Sequence, residues 1–196
     1  MVSPDLVGVD RELRSGGLSC GGCGGSLRPW GWARERLVRC RDHDERVRPR
    51  RSRCRGCAAT HVLLPVTCLL RRVDEVEVIG AALLAKAAGA GHRPIAAMLG
   101  RPATTVREWL RRFAVLAGRW RTLFTRLALR LDPSLNPPDP SGSGFADAVT
   151  AIGVATSAGV RLVGRRDPWR LAAKITGGRL LWAGSINTTS PWETIV

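Results

Sequence analysis

Four of the chain's six cysteines fall into two Cys-x-x-Cys pairs, "CGGC" at Cys20–Cys23 and "CRGC" at Cys54–Cys57. In such a pair a tight turn folds the second sulfur back beside the first, so two pairs can supply the four thiolates of one tetrahedral zinc ion. The glycines suit that turn: Gly21, Gly22, Gly24 and Gly25 surround the first pair, and Gly56 precedes the last cysteine, where positive φ or close backbone approach is expected. A redox reading needs one pair at the start of a helix inside a βαβ unit, and neither pair has that context. A disulfide framework needs an oxidising compartment, whereas the opening "MVSPDLVGVDRELRSGG" is too acidic and too weakly apolar for an export signal. One structural zinc on Cys20, Cys23, Cys54 and Cys57 is therefore the leading reading, with redox work and unpaired thiols as the alternatives. Cys40 and Cys68 fall outside both pairs and read as packing residues or free thiols. His43 and His61 read as surface or locally hydrogen-bonded residues rather than further ligands.

The second chemical signal is charge. The 196 residues carry a net charge of +15, and among 31 Lys+Arg only Lys86 and Lys174 are lysines. The charge is concentrated: residues 28–55 hold eleven Arg against four acids, and residues 93–130 hold nine against one. Two basic zones of this kind point to a polyanion, most often nucleic acid, and a merely solubilising surface is the plainer alternative. No apolar run is long enough to span a membrane.

The second basic zone opens on "HRPIAAMLGRPATTVREWLRRF", residues 92–113. A helix-turn-helix needs a small residue at the helix crossing, a glycine in the turn and inward apolar residues on both sides. Ala96, Gly100, and Ile95, Leu99, Val106, Trp109 and Leu110 fill these roles in order. Pro102 disfavours helix at Arg101, so the second helix is expected to start at Pro102 or Ala103. If Val106, Trp109, Leu110 and Phe113 face inward, Ala103, Thr104, Arg107, Glu108 and Arg111 face outward, and with Thr105 they form the candidate major-groove surface. Arg107 and Arg111 are the candidates for guanine, while Glu108 either accepts from cytosine or pairs with Arg112. Arg93, Arg112, Arg119 and Arg121 are phosphate candidates. In the first zone, Arg46, Arg48 and Arg50 are expected on one face of a hairpin as a backbone clamp.

The elements that must position these residues follow from periodicity and punctuation. A short helix is expected from Pro4 to about Arg14, capped by Ser3, within an N-terminal segment 1–17. Residues 18–66 are Gly-rich and Cys-bearing, with extended pieces "RERLVRC" and "RVRPRRSRC" around the turn "RDHDE"; with so little apolar content this segment needs a metal to fold. A helix beginning near Asp74, a short one over Pro94–Leu99 and a long one from about Ala103 make a helix-turn-helix domain over 74–131. The stripe Phe113, Leu116, Trp120, Leu123, Leu127 and Leu131 reads as core, with a homodimer seam as the alternative. Residues 132–144, "DPSLNPPDPSGSG", form a linker. Residues 145–196 read as a helical region with an irregular tail: one helix carries Phe145, Val149, Ile152, Val160 and Val163, and a second is capped by Asp167. The fold class is α+β, a four-cysteine zinc ribbon of β-hairpin knuckles, then a mainly α-helical helix-turn-helix domain and a helical C-terminal part.

"SCGGCGGSLRPWGW", "RVRPRRSRCRGCAATHVLLP" and "GHRPIAAMLGRPATTVREWLRRF" together resemble an uncharacterised bacterial family that joins a zinc ribbon to a helix-turn-helix. They look like the N-terminal half of insertion-sequence transposases. The resemblance covers residues 18–113, with a weaker echo at "ITGGRLL", and implies a role with the DNA of a mobile element. The nuclease half is not expected to carry over. After Phe113 the acids are Asp132, Asp139, Asp147, Asp167 and Glu193, lying in a linker, at a helix cap or without strand context, rather than as a two-metal cluster. The expectation is a non-catalytic, sequence-specific binder of double-stranded DNA in the cytoplasm, at the nucleoid, able to work with a separate transposase or integrase subunit. The alternative is an interaction module whose ribbon docks on such a subunit or on RNA polymerase.

Overall fold

Short local signals start and stop the elements of the computed structural model, which describes Val2, residues 5–160, Gly164 and residues 166–182. The described residues divide into two compact units. One is built on Met1–Glu75 with Ala173–Arg179, the other on Val76–Ala172 with Leu180–Ala183. The class is α+β, with two small antiparallel sheets and six helices among the described residues.

The first unit opens with α1 (Leu6–Arg14), where the Asp5 carboxylate accepts the Val7 N–H at 3.0 Å and replaces one missing helical bond. The expected cap Ser3 and first-turn Pro4 lie outside the described residues. Val9 and Leu13, four apart, are buried with Leu27, Cys20, Cys54 and Leu63, so α1 packs onto the sheet and shares its core. That sheet runs β1 (Leu27–Trp32), β4 (Arg50–Cys54), β5 (Thr60–Leu63), all antiparallel, with β4 in the centre. A second ribbon pairs β2 (Arg36–Arg39) with β3 (Asp44–Val47), closed by the Cys40 N–H donating to the His43 carbonyl at 2.9 Å. It covers a small cluster of Val38, Val47, Cys40 and Cys68.

The segment "RVRPRRSRC", expected as one extended piece, is split. Arg46 belongs to β3 and Arg50 to β4, in different sheets, because Pro49 lacks the N–H to continue a ladder and the chain changes sheets there. Side-chain alternation therefore does not carry across the break, and the grouping of Arg46, Arg48 and Arg50 on one face is corrected. Arg46 and Arg48 are exposed; Arg50 is 7% exposed and paired with Asp10 on α1 at 2.8 Å.

The second unit contains α2 (Val76–Ala87), α3 (His92–Leu99), α4 (Ala103–Leu131), α5 (Gly144–Ala158) and the start of α6 (Pro168–Ile175). Helix α3 begins two residues before the expected Pro94, with Gly91 as its cap. Proline is tolerated there because the first helical turns lack intrahelical acceptors for their N–H groups. The buried side of α4 is Val106, Trp109, Leu110, Phe113, Leu116, Ala117, Trp120, Phe124 and Ala128. Beyond Trp120 the stripe shifts by one position from the expected Leu123, Leu127 and Leu131, which are only half-buried. Its register follows α5, which packs along α4 with Phe113 and Phe145 edge to face at 4.8 Å. This side of α4 is thus covered within the chain.

Ser143 caps α5 by accepting the Ala146 N–H at 3.3 Å, and the helix ends at Ala158, before the expected Val160; Val163 lies outside the described residues. Asp167 caps α6 as expected, accepting from the N–H groups of Trp169 and Arg170, both at 2.9 Å. Trp169 lies so close over Gly80 on α2 that a Cβ there would stand 2.2 Å from the indole. The tail "SINTTSPWETIV" lies outside the described residues.

Candidate metal centre and nucleic-acid interface

Both Cys-x-x-Cys turns sit at one end of the three-stranded sheet, and the pairing of β1 with β4 brings them together by placing Leu27 opposite Cys54. The first turn is closed by the Gly24 N–H on the Cys20 carbonyl and the Cys20 N–H on the Gly25 carbonyl, at 2.9 and 2.8 Å. Backbone amides also donate to sulfur, Gly22 to Cys20 at 3.4 Å and Gly56 and Cys57 to Cys54 at 3.3 and 3.5 Å. Of the two outcomes expected at Gly56, close approach rather than positive φ is found, and Gly25 shares it. A Cβ on Gly25 would meet the sulfurs of Cys54 and Cys23 at 3.1 and 3.3 Å, and one on Gly56 would meet Cys23 at 3.4 Å.

The four sulfurs of Cys20, Cys23, Cys54 and Cys57 all lie within 4.8 Å of one another, with Cys20–Cys57 at 3.8 Å and Cys23–Cys54 at 3.4 Å. Metal–sulfur bonds of about 2.3 Å in a tetrahedron imply sulfur–sulfur edges of about 3.8 Å, so the cluster fits one such ion. The electrostatics agree. Cys54 is lowered to about 6, chiefly by the hydrogen bond from the Cys57 backbone and further by Cys23 and Gly56. Cys57 is raised to about 11: the Ala59 backbone bond favours its thiolate, but hydrogen bonds with Cys23 and Cys54 and burial outweigh it. The hydrogen bonds thus favour the thiolate at Cys54 and the thiol at Cys57, and a divalent cation would favour the thiolate at both.

His61 on β5 places Nε2 3.3 Å from the Cys20 sulfur, across 41 residues of chain. The expected local hydrogen bond is thus replaced by a long-range one to the cluster itself, a role that sequence reasoning missed. The available signal was its place four residues after Cys57, on the strand returning beside β4. Cys40 and Cys68 are buried in the separate cluster under the β2–β3 ribbon, and burial pushes the Cys68 thiol up.

In the helical unit, Gly100 ends α3 in the left-handed region (φ 61°), with its N–H on the carbonyls of Ala96 and Ala97, and Pro102 leads into α4 at Ala103. Ile95, Ala96, Leu99, Val106, Trp109 and Leu110 are buried, so the inward face is as read from the sequence. On the other face Thr104, Arg107 and Arg111 are exposed, Ala103, Thr105, Glu108 and Arg112 are half-buried, and Arg93 is exposed on α3. Glu108 accepts a fork from Arg111, two bonds of 3.0 Å, and one from Arg112 at 2.5 Å. These bonds, Arg111's first, hold the Glu108 carboxyl below its ordinary range. Arg107 is thus separate from an Arg–Glu–Arg cluster that ties Arg111 to its own helix. Of the remaining phosphate candidates, Arg119 lies over Trp120 at 5.2 Å and Arg121 reaches Asp147 on α5 at 3.5 Å. Comparison with protein-family models, curated proteins and solved structures returned no match. No helix among the described residues is long and apolar enough to cross a membrane.

Proposed function

We propose that the chain is a non-catalytic, sequence-specific DNA-binding protein of the mobile-element type. In this reading the cysteine cluster is a structural zinc ribbon, and α3 and α4 are a helix-turn-helix whose second helix enters the major groove. The observation that carries it is the division of α4's first turns. Val106, Trp109, Leu110 and Phe113 are buried while Thr104 and Arg107 face outward beside a carboxylate-bridged arginine pair, in a segment with nine Arg and one acid. Arg107 is the base-reading arginine. Arg111 either leaves Glu108 on binding or stays paired and presents the carboxylate edge. Zinc is the ion of choice because four thiolates with a tetrahedral spacing suit it, and binding would supply the folding energy that a sparse apolar core does not.

Three of the acids after Phe113 have structural uses that favour a non-catalytic role. Asp132 accepts from the Ser134 backbone and hydroxyl, Asp147 from those of Ser141, and Asp167 caps α6. Glu193 lies outside the described residues.

The test is selection of a preferred duplex from random sequence by the full chain, followed by a salt titration. A steep fall of affinity with salt is expected. Arg107→Ala should cost about 1 to 3 kcal/mol on the preferred site and less on random duplex. No enrichment of any sequence, together with weak binding at every salt concentration, would point instead to the protein-docking role.

A further inference from the structure

The register of the three-stranded sheet defines a face that neither the metal centre nor the helical interface uses. Leu27 pairs with Cys54, both buried, and Pro29 with the buried Ser52, so by alternation Arg28 and Arg53, which lie opposite each other, are on the outer side. Between Pro29 and Trp32 the register shifts, so that Trp30 and Gly31 together oppose Arg51. This is a bulge with glycine in the left-handed region (φ +85°), and Trp30 just before it shares the outer side with Arg28 by alternation. On the far strand, Thr60 lies opposite Arg53 and Val62 opposite Arg51. The outer face is therefore two rows across the sheet, Arg28–Arg53–Thr60 and Trp30–Arg51–Val62.

Two of these side chains are apolar and uncovered: Trp30 is 44% exposed and Val62 49%. The guanidinium groups of Arg53 and Arg28 lie 4.9 and 5.5 Å from the Trp30 ring centroid and limit its rotation. None of the three strands contains an aspartate or glutamate. A face of this composition asks for a partner that is planar and apolar where it meets Trp30 and anionic where it meets the arginines. Duplex DNA offers the anion but keeps its base faces stacked internally. An unpaired strand offers both.

We infer that this sheet face is a second nucleic-acid site, which binds single-stranded nucleic acid by stacking an unpaired base on Trp30 and pairing its phosphates with Arg28, Arg51 and Arg53. The site lies wholly in the cysteine-bearing unit and does not rest on the helix-turn-helix reading. It would let the chain hold an unwound or displaced strand while another part of the molecule holds duplex.

The experiment uses the full, metal-loaded chain and three labelled probes: a short oligothymidylate, an abasic oligonucleotide of the same length and charge, and a duplex. The oligothymidylate should bind about 10-fold more tightly than the abasic strand. Trp30→Ala should remove most of that difference while leaving duplex affinity and metal content unchanged. Trp30→Phe should keep much of it, and Arg51→Glu should weaken both single strands about 10-fold or more. Equal binding of the abasic strand and oligothymidylate, or a Trp30→Ala protein with full metal content and unaltered preference, would overturn the inference. Arg107→Ala separates the two readings: loss on duplex alone leaves this site standing, and single-strand binding without duplex preference would sink the helix-turn-helix proposal and not this one.

Discussion

The sheet-bearing unit and the helical unit solve the same problem, holding a basic surface in one shape, with opposite means. The main cluster under the three-stranded sheet contains Val2, Val9, Leu13, Leu27 and Leu63, and its other buried members, Cys20 and Cys54, are half of the sulfur cluster. The helical unit buries Trp109, Phe113, Trp120 and Phe124 from α4, Leu83 and Ile79 from α2 and Ile152 from α5. Arginine-rich strands leave few positions for apolar side chains, so one unit converges sulfur on a point, whereas helices with a wide apolar stripe bury enough area without help.

The strongest way to break this contrast is to deny the sulfur cluster the zinc ion proposed for it. Chelation or Cys54→Ser should unfold the sheet unit, since structural zinc contributes apparent binding free energies of about 10 to 16 kcal/mol. Most of the helical circular-dichroism signal should persist. A single concerted loss of all helix signal on chelation would contradict the division of labour. From the other side, Phe113→Ala should cost the helical unit about 3 to 5 kcal/mol, read as a lowered denaturation midpoint, with metal content unchanged.

Smaller changes sharpen the account of the sulfur cluster. Gly25→Ala places a methyl group 3.1 Å from the Cys54 sulfur and 3.3 Å from the Cys23 sulfur. The crowding should cost about 1 to 3 kcal/mol and appear as weakened metal retention in a chelator competition. The smallest expected effect has the opposite sign. Gly24 and Ala58 each follow the second cysteine of their turn, and both are left-handed, φ 72° and 59°. For alanine that conformation costs about 1 to 2 kcal/mol, and a glycine's extra unfolded-state entropy returns about 0.5 to 1. Ala58→Gly should therefore stabilise the sheet unit by roughly 0.5 to 1 kcal/mol, seen as a raised melting temperature of the metal-loaded protein.

Much of both candidate sites was legible in the chain because the signals are local. Cys-x-x-Cys spacing places two sulfurs together through a turn of a few residues, and two such turns with compatible glycines nearly define the cluster. Ala96, Gly100 and Pro102 punctuate α3 and α4 within a handful of positions, and the 3.6-residue period sorted Val106, Trp109, Leu110 and Phe113 from Thr104 and Arg107. What was misread depended on partners far along the chain. Arg46, Arg48 and Arg50 look equivalent by alternation, yet Pro49 separates two sheets and Arg50 turns inward to Asp10, forty residues earlier. The stripe on α4 drifted from Leu123 to Phe124 because α5 decided which side was covered.

The sequence by itself determined the convergence of four cysteines, the turn between α3 and α4 and the basic character of two segments, since each depends on residues a few positions apart. Only the tertiary structure decided that His61 reaches Cys20 and that Trp30 stands exposed between Arg28 and Arg53 while Arg50 stays buried. These outcomes depend on strand register and on the bulge at Gly31, and both are selected by burial summed over distant segments rather than by any local preference of the residues themselves.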